Sequence, residues 1–283
     1  MVLKQETTNK IKKFVYEQPR TIQEISKLIN KNWRTADRYV EQISEEDGSI
    51  SAKIFRGGTR GALKIVFWNN SEKIYSSRFQ EKLLERILTS RNKDDFSPFD
   101  IYQYVDASKR NAFVEKQEYE AKKVRQDLFN LFRGAKKQIF IFSGNLSWAN
   151  LKQGGENILD VLEELAKRDI EINILTDVNP TSLENTEKVL GINERIGKEL
   201  IKVRHGQQPL RAFVMDEKLV RFKDVKYNES YKKNGLKKNI YIFYEIFDKE
   251  WIAWVKQVFW HMFNPAILAE KRVKDLRSIH KLK

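Results

Sequence analysis

Three histidines, at 205, 261 and 280, are the only imidazoles in the 283 residues, and there is no cysteine. The missing thiols remove disulfides, thiolate metal sites and cysteine nucleophiles together. No metal site and no cofactor is expected. Polar residues that could meet a ligand follow apolar runs instead. The stretch FSGNLSWAN sets Ser143, Asn145 and Trp148 after one such run, and Asp177 and Asn179 come after another that ends at Thr176. Small and amide side chains in such loops can hold a polar ligand or phosphate oxygens, or simply cap the next turn. In QPLRAFVMDEKLVRF, residues 208–222, Arg211 and Asp216 stand five apart, and Glu245 ends a late apolar run. Ser143, Asn145, Trp148, Asp177, Arg211, Asp216 and Glu245 are the candidate lining of a ligand pocket at strand ends, with Arg211 and Asp216 equally readable as an ion pair or a turn residue.

The elements that must position these groups follow from periodicity. Past residue 135 the chain alternates: QIFIFS, IEINILT, LIKVRH, the pair within 208–222, and NIYIFYE read as strands, with helical spacing between them. The pattern predicts a mostly parallel or mixed sheet covered on both faces, closed by aromatic helices around Trp251, Trp254 and Phe259. Residues 79–88 read as an amphipathic helix. NKDDFSPFD breaks the pattern, and a longer helix is expected from about Phe113 to Phe132, serving either as a dimer seam or as packing within the chain.

Near the N-terminus, Ile11, Phe14 and Val15 form one helical stripe. Thr21-x-x-Glu24 has capping-box spacing before a second helix. A third helix is expected over about 33–46, with Ala36, Val40 and Ile43 inward and Arg34, Thr35, Arg38 and Gln42 outward. SISAKIF and GALKIVFW then alternate with period two around RGGTRG, which predicts a hairpin with Arg56, Thr59 and Arg60 at its tip.

Three helices and a hairpin in this order resemble a winged helix-turn-helix, which implies major-groove contacts from the third helix and backbone or minor-groove contacts from the wing. Residues 135 to about 265 resemble a phospholipase D-like domain. In active members each half-site supplies His-x-Lys-x4-Asp, and one histidine attacks phosphorus. Here Pro209 stands at the histidine position, Arg211 at the lysine position, and Asp216 is kept. Gln207, Phe263 and Leu282 lie two residues after the three histidines, so His-x-Lys occurs nowhere. Proline can neither attack phosphorus nor leave it.

The combination resembles archaeal transcription regulators of the TrmB type, in which a degenerate domain binds a small effector. The expected organisation is therefore an α+β winged helix-turn-helix over 1–70, a helical connector and possible dimerisation region over 71–134, and a degenerate phospholipase D-like α/β domain over 135–283. The net charge of +14 fits double-stranded DNA as partner. The expectation is a cytoplasmic, non-enzymatic regulator, forming a homodimer. A sequence-tolerant architectural DNA-binding protein and a nuclease with a noncanonical site stay open beside it. No apolar run approaches the ~20 residues of a spanning helix, and the first residues lack the apolar core of a signal peptide.

Overall fold

The computed structural model describes residues 3–47, 49–56, 62–68, 76–116, 126–227 and 239–280. Helix α1 (Gln5–Glu17) buries Ile11 and Val15. Strand β1 (Arg20–Thr21) leads into helix α2 (Ile22–Leu28). The Thr21 hydroxyl accepts from the Glu24 amide at 3.2 Å while the Glu24 carboxylate accepts from the Thr21 amide at 2.7 Å. This capping box satisfies two N–H groups that a helix start would leave orphaned. Helix α3 (Trp33–Asp47) buries Ala36, Tyr39, Val40 and Ile43, a stripe of helical period. Strands β2 (Ile50–Arg56) and β3 (Ala62–Trp68) form the expected hairpin, with Ile50 opposite Trp68 and Arg56 opposite Ala62. With β1 they make a three-stranded antiparallel sheet in the order β1-β3-β2.

Strand β3 is apolar on both faces because both are covered. Val66 and Trp68 join the cluster of Ile11, Val15, Ile25 and Val40, while Leu63, Ile65 and Phe67 join a second cluster with Phe99, Tyr244 and Phe259. Lys64, on the helix side, pairs with Asp37 and Glu41 of α3 at 2.5 and 2.8 Å. Helix α4 (Ser76–Thr89) and the single turn α5 (Phe99–Tyr102) contribute Leu83, Ile87, Phe99 and Tyr102 to that second cluster.

The helix expected from Phe113 to Phe132 is not formed. Residues 110–116 are strand β4 (Arg110–Lys116), and helix α6 (Gln126–Arg133) begins ten residues later. Phe113 stacks on Phe243 across the strand pair with ring centroids 5.1 Å apart, and Ala112 and Val114 pack on the second cluster. These cross-strand contacts outweigh the helix-favouring composition that follows. The outermost strand of the large sheet thus comes from within the expected helical connector.

The rest of the chain alternates as expected. Strand β5 (Gln138–Phe142) is followed by the short pair β6 (Lys152–Gln153) and β7 (Glu156–Asn157), then helix α7 (Ile158–Lys167), β8 (Glu171–Thr176), helix α8 (Leu183–Ile196) and β9 (Ile201–His205). Then come β10 (Ala212–Met215), β11 (Leu219–Lys226), β12 (Ile240–Ile246), helix α9 (Lys249–Phe263), β13 (Ile267–Leu268) and helix α10 (Ala269–His280). Eight strands form one mixed sheet in the order β13-β9-β8-β5-β10-β11-β12-β4. Strands β5, β8 and β9 are parallel, and the other pairings are antiparallel. Helices α6, α7, α8 and α10 supply the core of one face. Helix α9 covers the other with α4, α5 and the hairpin. Coverage on both sides is why QIFIF and INILT are nearly unbroken apolar runs. Among the described residues, no helix is long and apolar enough to cross a membrane.

Candidate functional site

Two places bring chemistry-bearing residues together, the outer face of α3 and one edge of the large sheet. On α3, Arg34 and Arg38 are exposed and one turn apart, and Thr35 and Gln42 are half-buried beside them. The Asn32 side chain accepts from the Thr35 amide at 2.9 Å, which fixes the start of the helix. The Arg34 and Arg38 guanidinium carbons lie 5.5 and 5.7 Å from the ring centroids of Trp33 and Tyr39, so each arginine has an aromatic neighbour. Arg56 ends β2 and is described only through its backbone pairing; Thr59 and Arg60 lie outside the described residues.

The carboxyl ends of β5, β8 and β9 share an edge with the start of β10, because β10 runs antiparallel to β5 with Ala212 opposite Phe142. Ser143 organises this edge. Its amide donates to Leu175 O at 2.8 Å, and its hydroxyl accepts from the Leu146 amide at 3.2 Å and Trp148 Nε1 at 3.1 Å. Its carbonyl accepts from Gln208 Nε2 at 2.8 Å and Lys93 Nζ at 3.1 Å. Lys93 Nζ also donates to Leu210 O at 2.7 Å. Burial first, and then the Arg211 guanidinium, push the Lys93 ammonium down to about 6, against the opposing pull of Asp177.

Asp177 accepts from Asn179 Nδ2 at 2.8 Å and stands 3.5 Å from His205 Nδ1. That nitrogen already accepts the Val178 amide at 3.0 Å, so its lone pair faces the backbone and the proton of the neutral ring sits on Nε2. Burial, followed by Arg272, lowers the His205 pKa, which keeps the ring neutral at pH 7. The pair is therefore not a histidine oriented by its carboxylate for proton transfer. Arg211 is half-buried and donates to Tyr227 Oη at 3.0 Å. Asn145 is exposed, and its side chain accepts from the Ser147 amide at 3.2 Å, the local capping role.

Two expected pocket residues lie elsewhere. Asp216 occupies the turn after β10, at the opposite edge, with φ 51°. Its carboxylate accepts from the amides of Lys136, Lys137 and Gln138 at 3.0, 2.9 and 3.1 Å. A short strand and a tight turn carry it four residues away from the strand-end site, so it caps the start of β5 instead. Glu245 is buried within the sheet, pairs with Arg221 at 2.6 Å and accepts from Asn111 Nδ2 at 3.1 Å. The register Phe213, Arg221, Glu245, Asn111 runs straight across four strands and sets the ion pair inside the sheet face.

Ser143, Trp148, Asp177 and Arg211 do meet at the strand-end edge. Lys93 and Gln208 complete it, and neither was among the expected residues. Gln208 lay in a stretch already singled out. Lys93 comes from NKDDFSPFD, a polar break that reads only as a connector, and nothing local marks its contact with residues 50 and 117 positions away.

Neither a family model nor a curated protein matches the sequence. Among solved structures, NucT from Helicobacter pylori is similar with a TM-score of 0.39 and 15% identity, covering 56% of this chain and 99% of its own. Nuc from Salmonella typhimurium, described as a phospholipase D family member, gives 0.38 and 11%, over 56% of this chain and 96% of its own. TrmBL2, described as an archaeal chromatin protein with a novel mode of DNA binding, gives 0.40 and 13%, over 93% of each chain.

Proposed function

We propose that this protein binds double-stranded DNA through the outer face of α3 and the β2–β3 hairpin, used as a winged helix-turn-helix. On this reading its eight-stranded half is a phospholipase D-like domain without hydrolytic activity, which receives a small effector or assembles a homodimer. The observation that carries the reading is the exposure of Arg34 and Arg38 on a helix whose opposite stripe is buried. A helix so presented fits the major groove, where arginines reach base edges or phosphates. The net charge of +14 supports the same partner.

Three features support the proposed absence of hydrolysis. Pro209 occupies the nucleophile position, His205 is held by a backbone amide, and His261 is exposed on α9. The role is that of a transcription regulator, with the strand-end edge as effector site. The charge also favours a second reading, an architectural protein coating DNA with little sequence preference.

Incubating the purified protein with labelled duplex and with model phosphodiesters tests the proposal. A retarded but uncut duplex is expected, and turnover abolished by Arg211→Ala would overturn it. Nuclease footprinting separates the two DNA readings: discrete protected sites fit a regulator, and uniform protection fits a coat.

A further inference from the structure

The amine of Lys93 is held by backbone carbonyls and, among the described residues, by no ion pair. Two backbone carbonyls, Ser143 O and Leu210 O, take its hydrogen bonds at 3.1 and 2.7 Å. A neutral amine has two N–H bonds and one lone pair, so these two acceptors use both protons and leave the lone pair free. An ammonium would carry a third proton. Among the described residues, no carboxylate lies within ion-pair distance of Lys93, and the nearest influences are the cation of Arg211 and the more distant Asp177. Gly144 packs against the lysine stem, since a Cβ there would lie 3.5 Å from Lys93 Cε. Lys93 as a residue keeps partial exposure at the strand-end edge, while its amine lies in a largely buried environment.

Arg211 is the second component. It sits at the same mouth, immediately after the carbonyl that holds Lys93, and it donates to a tyrosine hydroxyl, Tyr227 Oη. A guanidinium in that state suits an incoming carboxylate. We propose that Lys93 is a nucleophilic amine that condenses reversibly with a small carbonyl compound bearing a carboxylate, of the α-keto acid class, with Arg211 holding the carboxylate.

The Nζ lone pair attacks the carbonyl carbon, a C–N bond forms as the C=O π pair moves to oxygen, and one amine proton passes to that oxygen to give a carbinolamine. A proton from solvent lets the hydroxyl leave as water while the nitrogen lone pair forms the C=N bond of a protonated imine, with no oxidant or reductant required. The protonated imine keeps one N–H. Ser143 O retains Gln208 Nε2 as a donor, so the remaining N–H can stay on Leu210 O and neither carbonyl is orphaned. Burial, with the Arg211 guanidinium, lowers the Lys93 pKa to about 6, so its amine gives up its proton far more readily at pH 7 than that of an ordinary lysine near 10.4.

The inference rests on reading the strand-end edge as a ligand site, and the experiment separates it from the DNA-binding proposal. The full chain is incubated at pH 7 with pyruvate and cyanoborohydride, then digested and mapped by mass spectrometry, and DNA affinity is measured on the same preparation. Lys93 is expected to acquire the reduced adduct at least about tenfold faster than the median lysine. Arg211→Met is expected to slow labelling by pyruvate about tenfold more than labelling by propanal, which lacks the carboxylate. Uniform labelling of lysines overturns the role of Lys93, and equal slowing with both carbonyl compounds overturns that of Arg211. DNA binding without a Lys93 adduct refutes this inference alone; an adduct without DNA binding refutes the DNA-binding proposal alone.

Discussion

Removing the Asp216 carboxylate leaves the amides of residues 136, 137 and 138 without their side-chain acceptor. Asp216→Ala also places a Cβ-bearing residue of poor left-handed tolerance at φ 51°. The expected loss is about 2 kcal/mol, read from denaturant unfolding, because the bonds are charge-assisted and largely out of water. Asp100 makes a pH-dependent contribution. It is buried against Arg86 at 2.7 Å, with Asp224 and Lys226 also acting on it, and burial outweighs Arg86 to raise its pKa to about 6. The unfolded value is near 3.9, so the folded state binds more protons between the two values. Stability attributable to this group therefore falls as pH rises from about 4 to about 6, by on the order of 3 kcal/mol, and is level above that. Asp100→Asn is expected to remove the slope in a series of unfolding curves across that range.

At the scale of elements, β3 joins the two halves, since its faces belong to different clusters. Ile65 is 2% exposed on the face toward the large sheet. Ile65→Ala should cost about 2–5 kcal/mol, measured by thermal or denaturant unfolding, through the lost transfer energy and the cavity. Most elements could be read from spacing alone. The capping box at Thr21, the stripe of α3 and the apolar runs of β5 and β8 each carry a local signature with a single physical meaning. Strand β4 did not, because its partner β12 lies more than 120 residues away and its stability comes from that pairing. The same limit explains the site. Ser143 and Arg211 stand beside strands that can be recognised locally, whereas Lys93 reaches the site only through the tertiary fold. Asp216 and Glu245 were misplaced because spacing along a strand does not say which end of the sheet faces the ligand.

Over the whole molecule, the hairpin, the α4–α5 segment and the large sheet share one core cluster, and α3 packs on the other face of the same hairpin. The central claim is that α3 neutralises phosphates or reads bases with Arg34 and Arg38. It is tested most directly by duplex affinity measured across a salt series for the wild type and the Arg34→Ala/Arg38→Ala double variant. If both arginines neutralise phosphates, the slope of log affinity against log salt becomes shallower by about 1.8; if they read bases, affinity for preferred sites falls by about 1–3 kcal/mol per arginine. A double variant with unchanged affinity and unchanged slope would contradict the account.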